Sequence, residues 1–503
     1  MGNPNILAGK DLEASLLPMI EDSVRGVEKN IASFEGESLF ESWLQLMRMQ
    51  DELINIYYEL YGEELEVVMN VPIGAGFLLF NDEFHKATEI VKIRFGEQVA
   101  NRFSHIVSIY SQQNFTLDCI HRNYMNIRSI KDLLIYFQSR RLYFVTILHL
   151  IPIHAIGSQK VHVDELPNEF GAYIDLCLRS VTSGYQSIIA SRCLEGYYAE
   201  PTALGLQYSQ IYSHLEDFFL EPIMLSSLDI MEFDDKFDIS SLKIRKRRYT
   251  LYSEDELQDA FKQELACFES YDIQDMPVVK KLEKLITIIS PLFDDGYLIK
   301  LGTSEFEGLC KMLGLSLYAE KKDYFEILNS RAPFVRFGDT YYSTYFLLMR
   351  YIVNELYKLL RKNKRYQIKA GYLFEHKVSC LLEQYGYSWV TGVKRINHKE
   401  FDVICQKDGI IYNFQCKNNF IRVSDIDADI VNVVARYHKR LSHYYDKALK
   451  KEIDREDLLV GKLGIDRVEN FVISRYPVMS PNPRVIPFNR LEAELIKGLN
   501  YLK

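Results

Sequence analysis

Apolar residues are spaced in two ways along the chain. Through about residue 365 they recur mostly every three to four positions, the period of an amphipathic helix. Ser38-Leu-Phe-Glu41 reads as a capping box opening a helix to Tyr61, and Ser253-Glu-Asp-Glu256 opens another that ends near Cys267. Pro277–Ile289, Thr303–Leu315 and Tyr342–Arg361 keep the same spacing, whereas Gly74-Ala-Gly76 and residues 157–171 read as loops. Beyond residue 365 the pattern changes. A helix is predicted over Gly371–Gly386, where Phe374, Val378, Leu381, Leu382 and Tyr385 hold helical spacing and Gly386 suits a C-cap. Strand-like runs follow near Tyr387–Ile396, around Asp402 and at Gln415-Cys416-Lys417. A long helix from Ser424 to about Lys451 and a strand at Asn470–Ser474 complete the order. The prediction is an α+β chain, with a mostly helical N-terminal body and a C-terminal α-β-β-β-α-β unit on a central mixed sheet. Its expected parts are residues 1–240, a second mainly helical domain over 241–365, and the unit over 366–503. The switch from acidic Glu232–Asp238 to basic Lys243–Arg248 marks the first boundary.

The run from Glu400 to Lys417 carries the chemistry. Asp408-Gly409 is a two-residue hairpin turn signal. Centred there, the hairpin sets Asp402 opposite Gln415, on one face with Cβ atoms about 5 Å apart. Alternation puts Lys417 on that face too, and turns Phe401, Val403, Cys405, Tyr412, Phe414 and Cys416 to the other. Glu375 sits at the edge of its helix's apolar stripe and is expected to face the sheet; it also reads as an acid complementing the positive end of the helix. A polar face of an edge hairpin, with Lys417 discouraging edge pairing, is the alternative reading.

The order helix, three strands, helix, strand, with these residues on it, resembles the PD-(D/E)XK nuclease superfamily over roughly residues 366–480. Asp402 matches the family's metal-binding aspartate, Lys417 its catalytic lysine and Glu375 its optional helix glutamate. Gln415 replaces the second acid, as in the QxK branch that includes Mrr-type restriction nucleases, and Phe401 replaces the proline. The resemblance implies a restriction-endonuclease-like fold and a Mg²⁺-dependent nuclease, Mn²⁺ also serving, that hydrolyses phosphodiester bonds of DNA. Asp402, Gln415, Glu375 and the Cys416 carbonyl would be oxygen ligands, the set a hard cation takes. Lys417 would orient or deprotonate water and offset phosphate charge. A prokaryotic restriction or anti-phage role follows by the same analogy, with the helical body recognising a target or partner protein, and a homodimer if both strands are cut. The alternatives are a catalytically inactive nuclease-like DNA-binding module and a helical interaction scaffold in a defence complex.

Composition adds limits. The net charge of −9 does not suggest a general nucleic-acid binder. Residues 366–503, however, hold 22 Lys and Arg against 17 Asp and Glu, so the excess of acid lies in the body. Eight scattered cysteines, without CxxC or zinc spacing, fit a reducing compartment. No signal peptide is read at the start, and the longest apolar run, Leu142–Ile153, is too short to span a bilayer. A cytoplasmic protein without membrane contact is expected. GxxxxGK[ST], GxSxG and HExxH are absent.

Three basic stretches are candidate nucleic-acid contacts. Lys243, Arg245, Lys246, Arg247 and Arg248 read as a phosphate-contacting segment or as the solvated partner of the acidic run before them. Arg361, Lys362, Lys364 and Arg365 read either as the end of a helix, where cations are favourable, or as a DNA contact. Arg436, Lys439 and Arg440 are interleaved with Tyr437, His438, Tyr444 and Tyr445 on the long helix, reading as a backbone-tracking face or a solvated one. Asp425-Ile-Asp-Ala-Asp429 is no EF-hand, because Ile430 and Arg436 stand where glycine and glutamate are required.

Overall fold

A computed structural model describes residues 6–73, 81–120, 127–202, 205–209, 251–252, 255–267, 271–320, 327, 330–360, 362–390, 392, 394–418, 430–475 and 478–499. The chain is α+β. The body begins with β1 (Leu7–Ala8) and continues through helices α1 (Gly9–Ala32), α2 (Gly36–Glu59), α3 (Gly62–Met69), α4 (Asp82–Phe95), α5 (Glu97–Ile120), α6 (Ile130–His154), α7 (Leu166–Ala172) and α8 (Arg179–Cys193). Strands β2 (Tyr198–Thr202) and β3 (Gly205–Tyr208) close a small sheet with β1. The apolar run Leu142–Ile153 lies in α6, which is buried nearly all round because α1, α2 and α3 pack against it. Among the described residues no helix is long and apolar enough to cross a membrane.

Ser38 does not cap α2. The helix starts at Gly36, and Ser38 Oγ instead donates to the Val161 carbonyl at 3.1 Å, a tertiary partner that outcompetes the local one. Ser253, Gly74-Ala-Gly76, Arg361 and the whole Lys243–Arg248 run lie outside the described residues.

The second region is mainly helical but not wholly so. Helices α9 (Glu256–Cys267), α10 (Pro277–Ile289), α11 (Thr303–Leu313) and α12 (Tyr345–Leu360) surround a four-stranded antiparallel sheet, in the order β4-β5-β7-β6. Its strands are β4 (Phe293–Asp294), β5 (Leu298–Gly302), β6 (Val335–Phe337) and β7 (Thr340–Thr344). Residues 342–344, expected to open a helix, end β7, since Thr-Tyr-Tyr-Ser-Thr favours a half-buried strand. Nor does packing divide at residue 240. Tyr252, Tyr297 and Phe346 join the core of the body, and Asp51, buried on α2, accepts from Tyr297 Oη at 2.8 Å and pairs with Arg141 at 2.7 Å.

The C-terminal unit runs α13 (Lys364–Gln384), β8 (Ser388–Trp389), β9 (Arg395–Ile396), β10 (Lys399–Glu400), β11 (Val403–Lys407), β12 (Ile410–Lys417), α14 (Ile430–Ile453), α15 (Glu456–Leu463), β13 (Val468–Ser474), β14 (Val485–Pro487) and α16 (Phe488–Lys497). A five-stranded mixed sheet has the order β14-β13-β12-β11-β8. β8, β11 and β12 are antiparallel neighbours, whereas β12, β13 and β14 are parallel. The parallel step needs a crossover, which α14 and α15 supply. The order α-β-β-β-α-β is therefore present, with β14 and α16 added.

Both faces are covered. Phe374, Val378 and Leu382 of α13 pack on Val403, Cys405, Tyr412 and Phe414, while Leu441, Tyr445 and Leu449 of α14 pack on Val472. The expected strand at 387–396 is divided, since Arg395–Ile396 belongs to a separate hairpin. The break between α12 and α13 falls at Asn363, whose side chain accepts from Tyr366 N at 3.2 Å. Lys364 and Arg365 thus open a helix, where cations oppose the dipole, rather than end one.

Candidate active site

The hairpin has its expected register. Val403 faces Phe414 and Lys407 faces Ile410, with Asp408 and Gly409 both at positive φ in the turn. Continued by one residue, that register brings Asp402 opposite Gln415. Residue 415 turns its backbone toward β13, so the pair is of the non-hydrogen-bonded kind, whose side chains stand closest. Gln415 Nε2 donates to Asp402 Oδ2. Cys416 N donates to the same oxygen at 2.8 Å. A strand residue points its N–H and C=O to the same neighbour. The Cys416 carbonyl therefore lies on the Asp402 edge.

β12 is a central strand, flanked by β11 and β13, so the edge-hairpin reading does not hold. The acid-bearing face is not wet either. Gln415 is 7% exposed, and Ile404, Ile411 and Asn413 on that face are buried. Phe401 joins Ile404, Ile411 and Leu459 there rather than the α13 side. The chain bends at Asp402, outside the strand, so alternation stops one residue before it would send Phe401 away.

Glu375 reaches the site from α13, half-buried, as its place at the edge of the apolar stripe predicts. Its carboxyl is pushed up to about 7, by burial first and by Asp402 second, against the pull of Lys394. Burial also raises Asp402, against Lys417 and the Cys416 N–H, which favour its charged form. Asp402 thus raises Glu375, and Glu452 adds to the rise of Asp402, which marks a place short of positive charge. Lys417 approaches the ring of Tyr444 at 5.9 Å, and burial, followed by Asp402 and Glu375, pushes the Cys416 thiol well up.

This donor set suits a hard divalent cation. Two carboxylates, an amide oxygen and a backbone carbonyl are all oxygen ligands. Among the described residues no group of three His, Cys, Asp or Glu is placed to hold a metal, so a cation here depends on the Gln415 amide and the Cys416 carbonyl. Gln415 now presents its nitrogen to Asp402; rotation of the amide exchanges nitrogen for oxygen.

Several residues at the site were not anticipated. Lys394 bonds Glu375 at 3.0 Å and lies over Tyr372 at 4.5 Å from the ring centroid. Beneath Asp402, the buried Asn413 donates to Glu452 at 3.1 Å and to Asn470 at 2.8 Å. Glu452 pairs with Arg455, whose guanidinium stacks on Phe401 at 4.4 Å. Asn413 was visible in the sequence as a polar residue inside an apolar strand; Lys394 carried no such signal.

The candidate nucleic-acid contacts separate in space. Lys362, Lys364 and Arg365 are exposed, Arg365 pairing with Asp272 at 3.0 Å, about 15 Å along α13 from Glu375. Arg436, Lys439 and Arg440 are exposed on α14. Arg440 is one turn from Tyr444, beside Lys417. Lys439 instead lines a cavity of about 610 Å³ against residues 191–198 of the body. There α14 packs on α8, and Val434 and Ala435 join the body's core.

No protein-family model, curated protein or solved structure matches the chain.

Proposed function

We propose that residues 364–499 form a metal-dependent nuclease of the PD-(D/E)XK kind, hydrolysing phosphodiester bonds of DNA. The observation that carries this reading is the meeting of Asp402, Gln415, Lys417 and Glu375 from three elements of an α-β-β-β-α-β unit. Asp402 and Glu375 would hold Mg²⁺ or Mn²⁺, with the Gln415 amide and the Cys416 carbonyl. The cation, when bound, supplies an acidified water and offsets charge developing on the phosphoryl oxygens. The Cys416 N–H fixes the Asp402 carboxylate, leaving its other oxygen for a ligand. Lys417, kept on the same face by strand alternation, offsets phosphate charge and takes or orients a proton of the attacking water. Burial by α14 excludes bulk water and strengthens these interactions.

A restriction or anti-phage role, a cytoplasmic site of action, a homodimer and a partner for the helical body belong to the same proposal and rest on the family resemblance. One observation favours the second reading, an inactive DNA-binding module: Asp402 is bonded to Gln415, and Glu375 to Lys394. Mn²⁺ binding at pH 8, followed by electron paramagnetic resonance, separates the two. The nuclease reading predicts one site, lost in Asp402→Ala and weakened in Glu375→Gln. Absence of any such site would leave the inactive module.

A further inference from the structure

Each acid of the site is already held by a donor from the chain itself. Gln415 and the Cys416 N–H hold Asp402, and Lys394 holds Glu375 at 3.0 Å. The two arrangements differ in how they can receive a cation. The Gln415 amide can rotate and offer its oxygen. An ammonium has three donors and no acceptor, so Lys394 cannot become a ligand. A divalent ion on the Glu375 carboxylate would stand about 4–5 Å from the ammonium now bonded there, and the two would repel in a site that burial has partly stripped of water. Lys394 supplies, from within the chain, part of the positive charge this place lacks; a divalent ion supplies more of it.

Lys394 can move while its backbone stays. Phe401 N donates to the Lys394 carbonyl at 3.0 Å, which ties residue 394 to the neighbour of Asp402. The Lys394 side chain is 53% exposed against 17% for Glu375, so the lysine is the partner with room to swing. It also has a second seat. Its ammonium lies 4.5 Å from the centroid of the Tyr372 ring, itself half-exposed, and Glu400 favours its charge as well. An ammonium over an aromatic face keeps part of its stabilisation when the carboxylate is lost. Tyr372 precedes Glu375 by three residues on α13, so the ring and the carboxylate are neighbours on one face of the helix.

We propose that Lys394 is a tethered counter-ion of the candidate metal site: it holds Glu375 in the metal-free protein and leaves it for Tyr372 and Glu400 when Glu375 becomes a ligand. The proposal rests on the nuclease reading of the site. Lys394 acts through Glu375 and is a positioning residue, one that sets how tightly the site takes its cation.

The test is Mn²⁺ binding, by electron paramagnetic resonance, in wild type, Lys394→Met and Lys394→Arg. It is run at pH 8.5, above the Glu375 value of about 7, so that protons do not compete for the carboxylate. Lys394→Met should bind Mn²⁺ at least about five-fold tighter than the wild type, the measure of one partly exposed ion pair no longer to be broken. Lys394→Arg restores the pair and should bind no tighter than the wild type. In the wild type, acetylation of Lys394, followed by peptide mass spectrometry, should run several-fold faster in Mn²⁺ than in EDTA, because the amine has lost its carboxylate. That reading needs no variant, so it decides the matter if Lys394→Met melts early. Equal affinity of wild type and Lys394→Met, with the site still lost in Asp402→Ala, would overturn the role of Lys394 and leave the nuclease. Weaker binding by Lys394→Met, with acetylation unchanged by Mn²⁺, would overturn it too and make Lys394 a lasting support of Glu375. No Mn²⁺ site in either protein would remove the nuclease reading, and this proposal with it.

Discussion

Replacing Glu375 by glutamine should stabilise the metal-free protein, and only at neutral to alkaline pH. The carboxyl sits at about 7 in the folded chain because burial and Asp402 disfavour its charge. Unfolded, it returns to an ordinary value near 4.3. Between these values the folded state binds more protons than the unfolded one, so stability falls as pH rises from about 4.5 to about 7 and stays reduced above. The full shift corresponds to about 3.5 kcal/mol, at 1.36 kcal/mol per unit. Glu375 retains some water and keeps Lys394, so about 1–2 kcal/mol is the realistic share. For a unit of this size that is roughly 3–8 °C in melting temperature. Differential scanning calorimetry of wild type and Glu375→Gln at pH 5 and pH 8, in EDTA, reads it. The variant should melt higher at pH 8 and alike at pH 5, and Mg²⁺ should raise the wild type at pH 8. Equal melting at both pH values would refute the reasoning, because Glu375 would then not share a buried site with Asp402.

Other outcomes follow from the same geometry. Gln415→Glu places a third carboxylate against Asp402; it should lower the metal-free melting temperature at pH 8 and tighten Mn²⁺ binding in titration calorimetry. Arg455→Ala leaves Glu452 buried without its partner and removes the ring contact to Phe401, so chemical denaturation should show a loss of about 3–5 kcal/mol. Lys417→Ala should keep the melting temperature within about a degree while cutting falls at least about 100-fold, a loss measured in single-turnover assays.

The site was legible where local rules are rigid. Asp408-Gly409 allows one hairpin turn, and the turn fixes the register, so Asp402 and Gln415 were matched across the strands from sequence alone. Glu375 was placed by helical spacing, and Gly386, at φ 80°, ends α13 as its position suggests. Where tertiary contact decides, the sequence was silent. Ser38 found Val161 rather than its own helix. Phe401 turned because the chain bends at Asp402. Asn397-His398 lacks the glycine that announces such a turn, so the second hairpin was merged into a strand. Strand β7 was lost because its tyrosines run into the apolar spacing of α12. Lys394 reaches Glu375 across 19 positions, a distance no local pattern reports.

The most direct measurement is cleavage of supercoiled plasmid, linear duplex and single-stranded DNA by the full-length protein, in Mg²⁺, in Mn²⁺ and in EDTA, beside Asp402→Ala and Lys417→Ala. The account predicts that the wild type cuts duplex DNA only with metal, and that both variants fold but do not cut. Cutting that persists in both variants would contradict it, placing the chemistry elsewhere in the chain. So would a wild type that holds Mn²⁺ and duplex DNA and leaves every strand intact.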